Sequence, residues 1–334
     1  MFDSRDPTIT QAAPYPRLLG DIGGTHARFG WQTHEGAEIS HVQVLPCAEQ
    51  ASLLDAVQLY LQQQGFSAPP CAALGIANPV TDDQVSMTNH HWSFSVKVLR
   101  ERLGLARLLL LNDFTALALS LTQLPEANKQ QIGGGQVVPH TAIGLIGPGT
   151  GLGVSGLLPV GHSGQWLPIA GEGGHVSLSA TNAHEFALIQ QLQKRYGHVS
   201  AERVLSGSGL VDLYHALSEL KGESVHGITA PADVLARAQN APLSTAQEAL
   251  DLFCGFLGSV AGDLALTLGA RGGLYIGGGI VPRMGTRFEA SPFRNRFEDK
   301  GRFKSYLKAI PVWVIHSPVS PALMGASQAL SLRL

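Results

Sequence analysis

The sequence predicts an α/β protein of about two domains built on mixed sheets, and three observations carry that prediction. A chain of 334 residues is too long for one small domain. Its first part reads β-β-β-α-β-α-β-α, an order that implies a mixed sheet with helices over its faces. A second pair of strands hinged on glycines then follows around Gly147–Gly151, an echo of the first glycine turn.

The elements follow in order. Leu18 to Ile22, Ala27 to Gln32 and Ile39 to Leu45 read as three short strands, joined by Gly23-Gly24-Thr25-His26 and by His34-Glu35-Gly36. Ser52 to Gln64 places Leu53, Leu54, Val57 and Leu61 on one helical face, and Gly65 stops it. Cys71 to Ala77 is a buried strand, Val96 to Leu103 a second helix, and Leu108 to Leu111 an apolar strand running into Asn112-Asp113. Helical spacing resumes over Phe114 to Leu124.

Thr141 to Ile146 and Gly153 to Leu158 are strands on either side of Gly147-Pro148-Gly149-Thr150-Gly151. Glu185 to Tyr196, Gly209 to Leu220, Pro231 to Ala238 and Thr245 to Leu268 form a helical insertion before the strand Leu274 to Ile276, and Pro321 to Leu332 is a last helix. The expected division is a small α/β domain of residues 17–123 plus 318–334, and a large one of 124–317 carrying the helical insertion.

Composition removes several classes. With 23 Lys+Arg against 25 Asp+Glu the net charge is −2, which gives no basic footprint for nucleic acid. Cys47, Cys71 and Cys254 are odd in number and widely spaced, so neither a disulfide framework nor a zinc site is expected, and a reducing cytosol fits. Met1 to Arg17 lacks the apolar stretch of a secretory signal and reads as a frayed terminus. Gln130 to Gly171 holds no charged residue, but seven glycines and two prolines between Ala142 and Gly161 rule out a spanning helix there.

Asp21-Ile22-Gly23-Gly24-Thr25 lies where a strand meets a turn, so its glycines can bring backbone N–H groups to phosphate oxygens while Asp21 faces a metal. A plain β-turn with a solvated aspartate is the other reading. Gly149, Thr150 and Gly151 offer a second N–H-rich loop. Gly277-Gly278-Gly279, after a strand, leaves a bare backbone where a flat ring such as adenine could pack, or is simply a turn.

Asn112-Asp113 sits at a strand end and helix start, which is either helix capping or a carboxylate placed as general base for an attacking hydroxyl. Glu172-Gly173-Gly174-His175 can converge two polar side chains on one small ligand, or be solvated loop. Glu202 in His198-Val199-Ser200-Ala201-Glu202-Arg203 has the same two readings, with a helix dipole as the structural one. Asn89, in Asn89-His90-His91-Trp92, adds an amide in an aromatic turn.

Rival nucleotide and hydrolase motifs fail. No Gly-Lys dipeptide exists, so there is no phosphate loop of the G-x-x-x-x-G-K type. Gly151-Leu152-Gly153-Val154-Ser155-Gly156 matches G-x-G-x-x-G, but the following Leu157-Leu158-Pro159 cannot open a helix. Neither H-E-x-x-H nor G-x-S-x-G occurs.

Taken together, Gly20 to Arg28, Thr88 to Trp92, Leu111 to Thr115, Gly147 to Gly153, Glu172 to His175 and His198 to Gly207 resemble, in order and spacing, the proteobacterial ATP-dependent glucokinases. The resemblance spans about residues 17–332. It implies the actin/hexokinase-like (ribonuclease H-like) two-domain fold, with ATP between the domains and glucose at the floor of an interdomain cleft.

By the same resemblance Asp113 would be the base for the sugar's 6-hydroxyl. Asn112, Asp113 and Asn89 would hold nearby hydroxyls, and Glu172, His175 and Glu202 those toward the anomeric end. Asp21 would act on Mg²⁺ through water, Gly23, Gly24, Thr25, Gly149, Thr150 and Gly151 would cradle phosphates, and Gly277 to Gly279 would hold adenosine. A cytoplasmic homodimer without nucleic-acid or membrane partners is the family expectation.

His26 departs from the family's commoner Asn, which bears only on that side chain's contact. Repressor-type sugar kinases usually carry a cysteine-rich zinc motif after the E-x-G-H element, yet no cysteine lies between Cys71 and Cys254. A repressor would also need a helix-turn-helix, for which 17 residues before the first strand leave no room, and an actin-like ATPase would not need Asn112, Asp113, Glu172 and His175. A kinase for another hexose or amino sugar, or a sugar-sensing regulator of the same fold, is the alternative.

Overall fold

A computed structural model describes residues 13–332 apart from 89, 162, 226, 242, 318 and 319. The chain begins β1 (Arg17–Ile22), β2 (His26–Gln32), β3 (Ser40–Pro46), α1 (Leu53–Gln64), β4 (Cys71–Ile76), β5 (Gln84–Ser86), β6 (Ser93–Ser95), α2 (Val96–Arg102), β7 (Arg107–Asn112) and α3 (Asp113–Ser120). Next come β8 (Lys129–Ile132), β9 (Ile143–Pro148), β10 (Leu152–Val160), β11 (Gln165–Ile169), α4 (Ala183–Tyr196), α5 (Gly207–Lys221), α6 (Pro231–Asn240) and α7 (Thr245–Leu268). It ends with β12 (Leu274–Ile276), α8 (Ile280–Met284), α9 (Thr286–Ala290), α10 (Phe293–Glu298), α11 (Lys304–Lys308), β13 (Val312–Ile315) and α12 (Pro321–Ser331).

The chain divides into two compact units. One comprises Met1–Pro125, Ser163–Ala170 and Ser317–Leu334; the other Glu126–His162 and Gly171–His316. Placing Ser163–Ala170 with the first unit depends on tertiary contacts, such as that of β11 with α3.

In the first unit the sheet order is β3-β2-β1-β4-β7, an antiparallel meander followed by two strands parallel to β1. Side chains alternate between its faces. Leu18, Ile22, Leu74 and Ile76 join Val57 and Tyr60 of α1 on one side, while Leu19, Cys71 and Ala73 meet Leu323, Ala326 and Leu330 of α12 on the other. Ser52 accepts from the Asp55 amide to open α1, and Gly65, left-handed at φ 69°, closes it.

Two contacts hold α12 in place. The guanidinium of Arg17, buried at 1% exposure, donates to Ala13 O at 2.7 Å and to Ser331 Oγ at 2.8 Å. Gly325 lies so close to α3 that a Cβ there would be 1.6 Å from the Ala116 carbonyl oxygen. Gly325→Ala must therefore push α3 aside. Overpacking of this kind costs about 1–3 kcal/mol or more, and because α3 begins at Asp113, turnover should drop along with the melting temperature. Calorimetry and steady-state rates on the purified variant would check this, and unchanged values for both would show that the helices separate freely.

The second unit runs β10-β9-β12-β13-β8, with β9, β12 and β13 parallel and an antiparallel strand at either side. Leu188, Leu213, Phe253, Phe256, Phe293 and Val312 belong to its single large core. Helix α7 is long and apolar enough to cross a membrane by length and composition, but 67% of its apolar window is buried inside the protein, as for a core helix. Gly258 explains its closeness to α10, since a Cβ would come within 2.3 Å of Phe293 O.

Element by element, Thr245 to Leu268 and Leu274 to Ile276 coincide with the observed α7 and β12. The expected helix over Phe114 to Leu124 instead starts at Asp113 and ends at Ser120, followed by a 3₁₀ turn over Leu121–Gln123.

Candidate active site

In the first unit, the parallel register aligns Asp21 with Gly75, Gly75 with Leu111, and Ile76 with Asn112. Asp21 and Asn112-Asp113 therefore lie at the same carboxyl edge of the sheet, where open α/β sheets bind ligands. Two strand spacings, about 10 Å, separate them.

Asn112 opens α3, its side-chain oxygen accepting from the amides of Phe114 at 2.9 Å and Thr115 at 3.2 Å. That leaves its NH₂ to face other groups. Asp113, half-buried, is the first helical residue, and its Oδ1 accepts from the Phe114 amide at 2.9 Å. The positive end of the helix dipole favours a negative charge there. Gly75 brings α3 down on β4: a Cβ would lie 3.1 Å from Ala116 Cβ and 3.5 Å from Asp113 Cα.

The Asp21 side chain, 14% exposed, accepts from Arg28 Nη1 at 3.3 Å and from Ser320 Oγ at 2.6 Å. Ser320 had no signal in the sequence, because nearly 300 residues separate it from Asp21. In the glycine turn, Gly23 donates to His26 O and Cys47 N donates to Thr25 O, both at 2.9 Å. The Gly23 amide thus shapes the turn, and the donors left to meet an anion are those of Gly24 and Thr25. Burial pushes the Cys47 thiol up despite the opposing pull of Arg28, so the cysteine beside this turn is no nucleophile.

In the second unit, β9 and β12 are parallel with Ile146 aligned to Ile276, so Gly147–Gly151 and Gly277–Gly279 emerge side by side. Gly277 donates to Ile146 O at 2.8 Å. At Gly278, φ is +75° and a Cβ would sit 2.2 Å from Pro148 O, so only glycine fits. Gly149 N donates to Gly151 O at 2.8 Å, which folds the loop and takes the Gly149 amide out of the set able to meet a ligand.

The segments around Glu172 and Glu202 are joined to that loop. Glu202 N donates to Gly174 O at 2.9 Å, and its carboxylate Oε2 accepts from Leu152 N at 2.8 Å. Gly207, at the start of α5, donates to Gly149 O at 2.9 Å. Glu172 precedes and His175 ends a single 3₁₀ turn in which His175 N donates to Glu172 O at 3.0 Å; both are exposed, while Glu202 is half-buried. The structure thus brings Glu172, His175, Glu202, Gly149 to Gly151 and Gly277 to Gly279 into one neighbourhood. Asn89 lies outside the described residues.

Comparison with known proteins gives the family and the fold. The family model "Glucokinase" matches residues 18–333. A glucokinase of Aromatoleum aromaticum is 55% identical over 317 residues, 95% of each chain. One of Chromobacterium violaceum is 53% identical over 317 residues, 95% of this chain and 90% of that one. The crystal structure of a glucokinase from an Antarctic psychrotroph superposes with a TM-score of 0.84 at 35% identity, covering 94% of this chain and 98% of the other.

A mixed sheet with a carboxylate at its parallel edge, and a second sheet whose glycine loops lie together, define a sugar kinase of the actin/hexokinase-like fold. Within that class, the chain belongs to the glucokinase family.

Proposed function

We propose that this enzyme transfers the γ-phosphoryl group of ATP to the 6-hydroxyl of D-glucose, giving glucose 6-phosphate and ADP, with Asp113 as general base. The observation that carries the assignment is the division of labour at the start of α3. Asn112 caps the helix with its oxygen, and Asp113 follows it at the sheet edge in register with the Asp21 turn. The family supports ATP as donor and glucose as acceptor.

A sugar hydroxyl is a weak nucleophile, and the γ-phosphate repels nucleophiles through its own charge. Asp113 would accept the hydroxyl proton as the O–P bond forms, which needs hydrogen-bond reach of the 6-hydroxyl. The NH₂ of Asn112, with Asn89, would orient neighbouring hydroxyls, and Glu172, His175 and Glu202 would hold the anomeric side. Amides of Gly24, Thr25, Thr150 and Gly151 would receive the charge that spreads onto phosphate oxygens.

Among the described residues, no three His, Cys, Asp or Glu side chains gather to cage a metal. Mg²⁺ fits this donor set, because it keeps several waters and takes phosphate oxygens, needing one or two carboxylates from the protein. Asp21, fixed by Arg28 and Ser320, would hold it through water. When bound, Mg²⁺ would supply neutralisation of the charge on the polyphosphate.

Three buried free cysteines suit a reducing cytoplasm, and homodimerisation is the family expectation. The test is a coupled assay for ADP with and without glucose and Mg²⁺. ADP should form only with both, and glucose-independent ADP release at the full rate would reject the assignment.

Gly278→Ala separates the nucleotide side from the sugar side. A Cβ at φ +75° facing Pro148 O costs on the order of 1–2 kcal/mol in strain, so the KM for ATP should rise about tenfold while that for glucose stays nearly constant. Equal rises in both would place Gly277 to Gly279 away from the nucleotide.

A further inference from the structure

The segment from Glu202 to Gly207 ties the Glu172–His175 loop to the Gly149–Gly151 loop at three points. Its first residue holds Gly174 O through the backbone at 2.9 Å and Leu152 N through its carboxylate at 2.8 Å. Its last residue holds Gly149 O at 2.9 Å. The Thr150-Gly151 amides are therefore clamped on both flanks by one strap. Space is tight: a Cβ on Gly151 would lie 2.5 Å from Glu202 Oε2, and one on Gly174 would lie 2.2 Å from Leu152 O.

This arrangement puts a carboxylate against a loop whose amides would bind a polyphosphate. One of its oxygens keeps the loop in shape, but its charge opposes the anion that the loop receives. A sugar hydroxyl donating to the other oxygen would spread that charge and weaken the repulsion without releasing Leu152 N. We infer that Glu202 is a positioning residue that couples the two substrates, holding nucleotide affinity low until a sugar hydroxyl binds its carboxylate.

The inference rests on the proposed glucokinase reading, because it needs glucose at Glu202 and ATP at Thr150-Gly151. Its consequence is that ATP hydrolysis without sugar is suppressed by weak nucleotide binding as well as by the missing acceptor. Linkage makes the effect reciprocal, so nucleotide should tighten glucose by the same factor.

Glu202→Gln tests this, since the amide oxygen can still accept from Leu152 N while the charge is removed. Calorimetric titrations would use glucose and a non-hydrolysable ATP analogue with Mg²⁺, each alone and in the presence of the other. In the wild type, glucose should tighten the analogue by about tenfold, within the usual range of coupling. In Glu202→Gln the analogue alone should bind severalfold tighter than to the wild type, and glucose should change its affinity by less than about twofold.

A purely structural Glu202 predicts the reverse, weaker analogue binding with coupling intact, and that result would overturn the inference. Absence of coupling in the wild type would overturn it too, without need of the variant. Should the wild type neither bind glucose nor phosphorylate it, the proposed function fails instead, and the ADP assay reports that separately.

Discussion

Asp113→Asn is expected to cut turnover by about 10²-fold or more, the usual scale for a general base, while leaving the dissociation constant for glucose within about an order of magnitude. The amide is nearly isosteric, and its oxygen can still accept from the Phe114 amide as Asp113 Oδ1 does at 2.9 Å. The start of α3 therefore survives. What disappears is an acceptor that can take a proton from the 6-hydroxyl. The discriminating measurement is kcat by coupled assay beside glucose affinity by calorimetry. Near-normal turnover would remove Asp113 as the base; lost glucose binding with lost turnover would make it a sugar ligand only.

The largest effect on stability should come from Arg296. Glu185 on α4 is 1% exposed, and its carboxylate receives both ends of the Arg296 guanidinium, together with Thr181 N at 2.8 Å and Thr181 Oγ1 at 3.0 Å. Arg296 also donates to Ser259 Oγ at 2.8 Å. These bonds join α4, α7 and α10. Arg296→Ala would leave Glu185 buried without its cation, a loss on the order of 3–5 kcal/mol, or a melting temperature lower by roughly 10 °C for a unit of this size.

The double variant Arg296→Met with Glu185→Gln should recover most of that loss, because the amide can keep both Thr181 bonds and no charge remains buried. Thermal unfolding of the wild type, the single and the double variant makes the comparison. A single variant as stable as the wild type would show that water reaches the pair.

The same pair fixes a pH dependence. Burial pushes the Glu185 carboxyl up, but the bonds from Arg296 and Thr181 outweigh it and hold it below the ordinary value of 4.5. A depressed folded-state value means that the contribution to stability is present above pH 4.5 and is lost as pH falls through the folded value. Acid unfolding of the wild type should therefore show a loss that the double variant lacks.

Much of the site was legible in the sequence because it consists of short runs with strong local chemistry. Asn112-Asp113 at a strand end, paired glycines after Asp21 and the E-x-G-H element each state which backbone or side-chain groups they offer. Strands of alternating or continuous apolar residues were legible as well, as was the 24-residue α7. The strands not anticipated were β5, β6, β8, β11 and β13. β5, β6 and β8 are short and largely polar, as in Lys129–Ile132, whereas β11 is apolar but interrupted by Pro168, which argues against a strand. Val312–Ile315 is apolar, but four residues are too few to distinguish strand from buried helix.

What the sequence by itself determined is therefore the order of the longer elements, the family, and the inventory of groups able to meet a sugar and a polyphosphate. Only the tertiary structure decided that Ser320 steadies Asp21 and that Glu202 clamps Leu152. The physical reason is range: propensity, capping and turn chemistry act within about four residues, whereas these bonds join residues 50 and 299 positions apart. Such partners are chosen by how the sheets and helices pack.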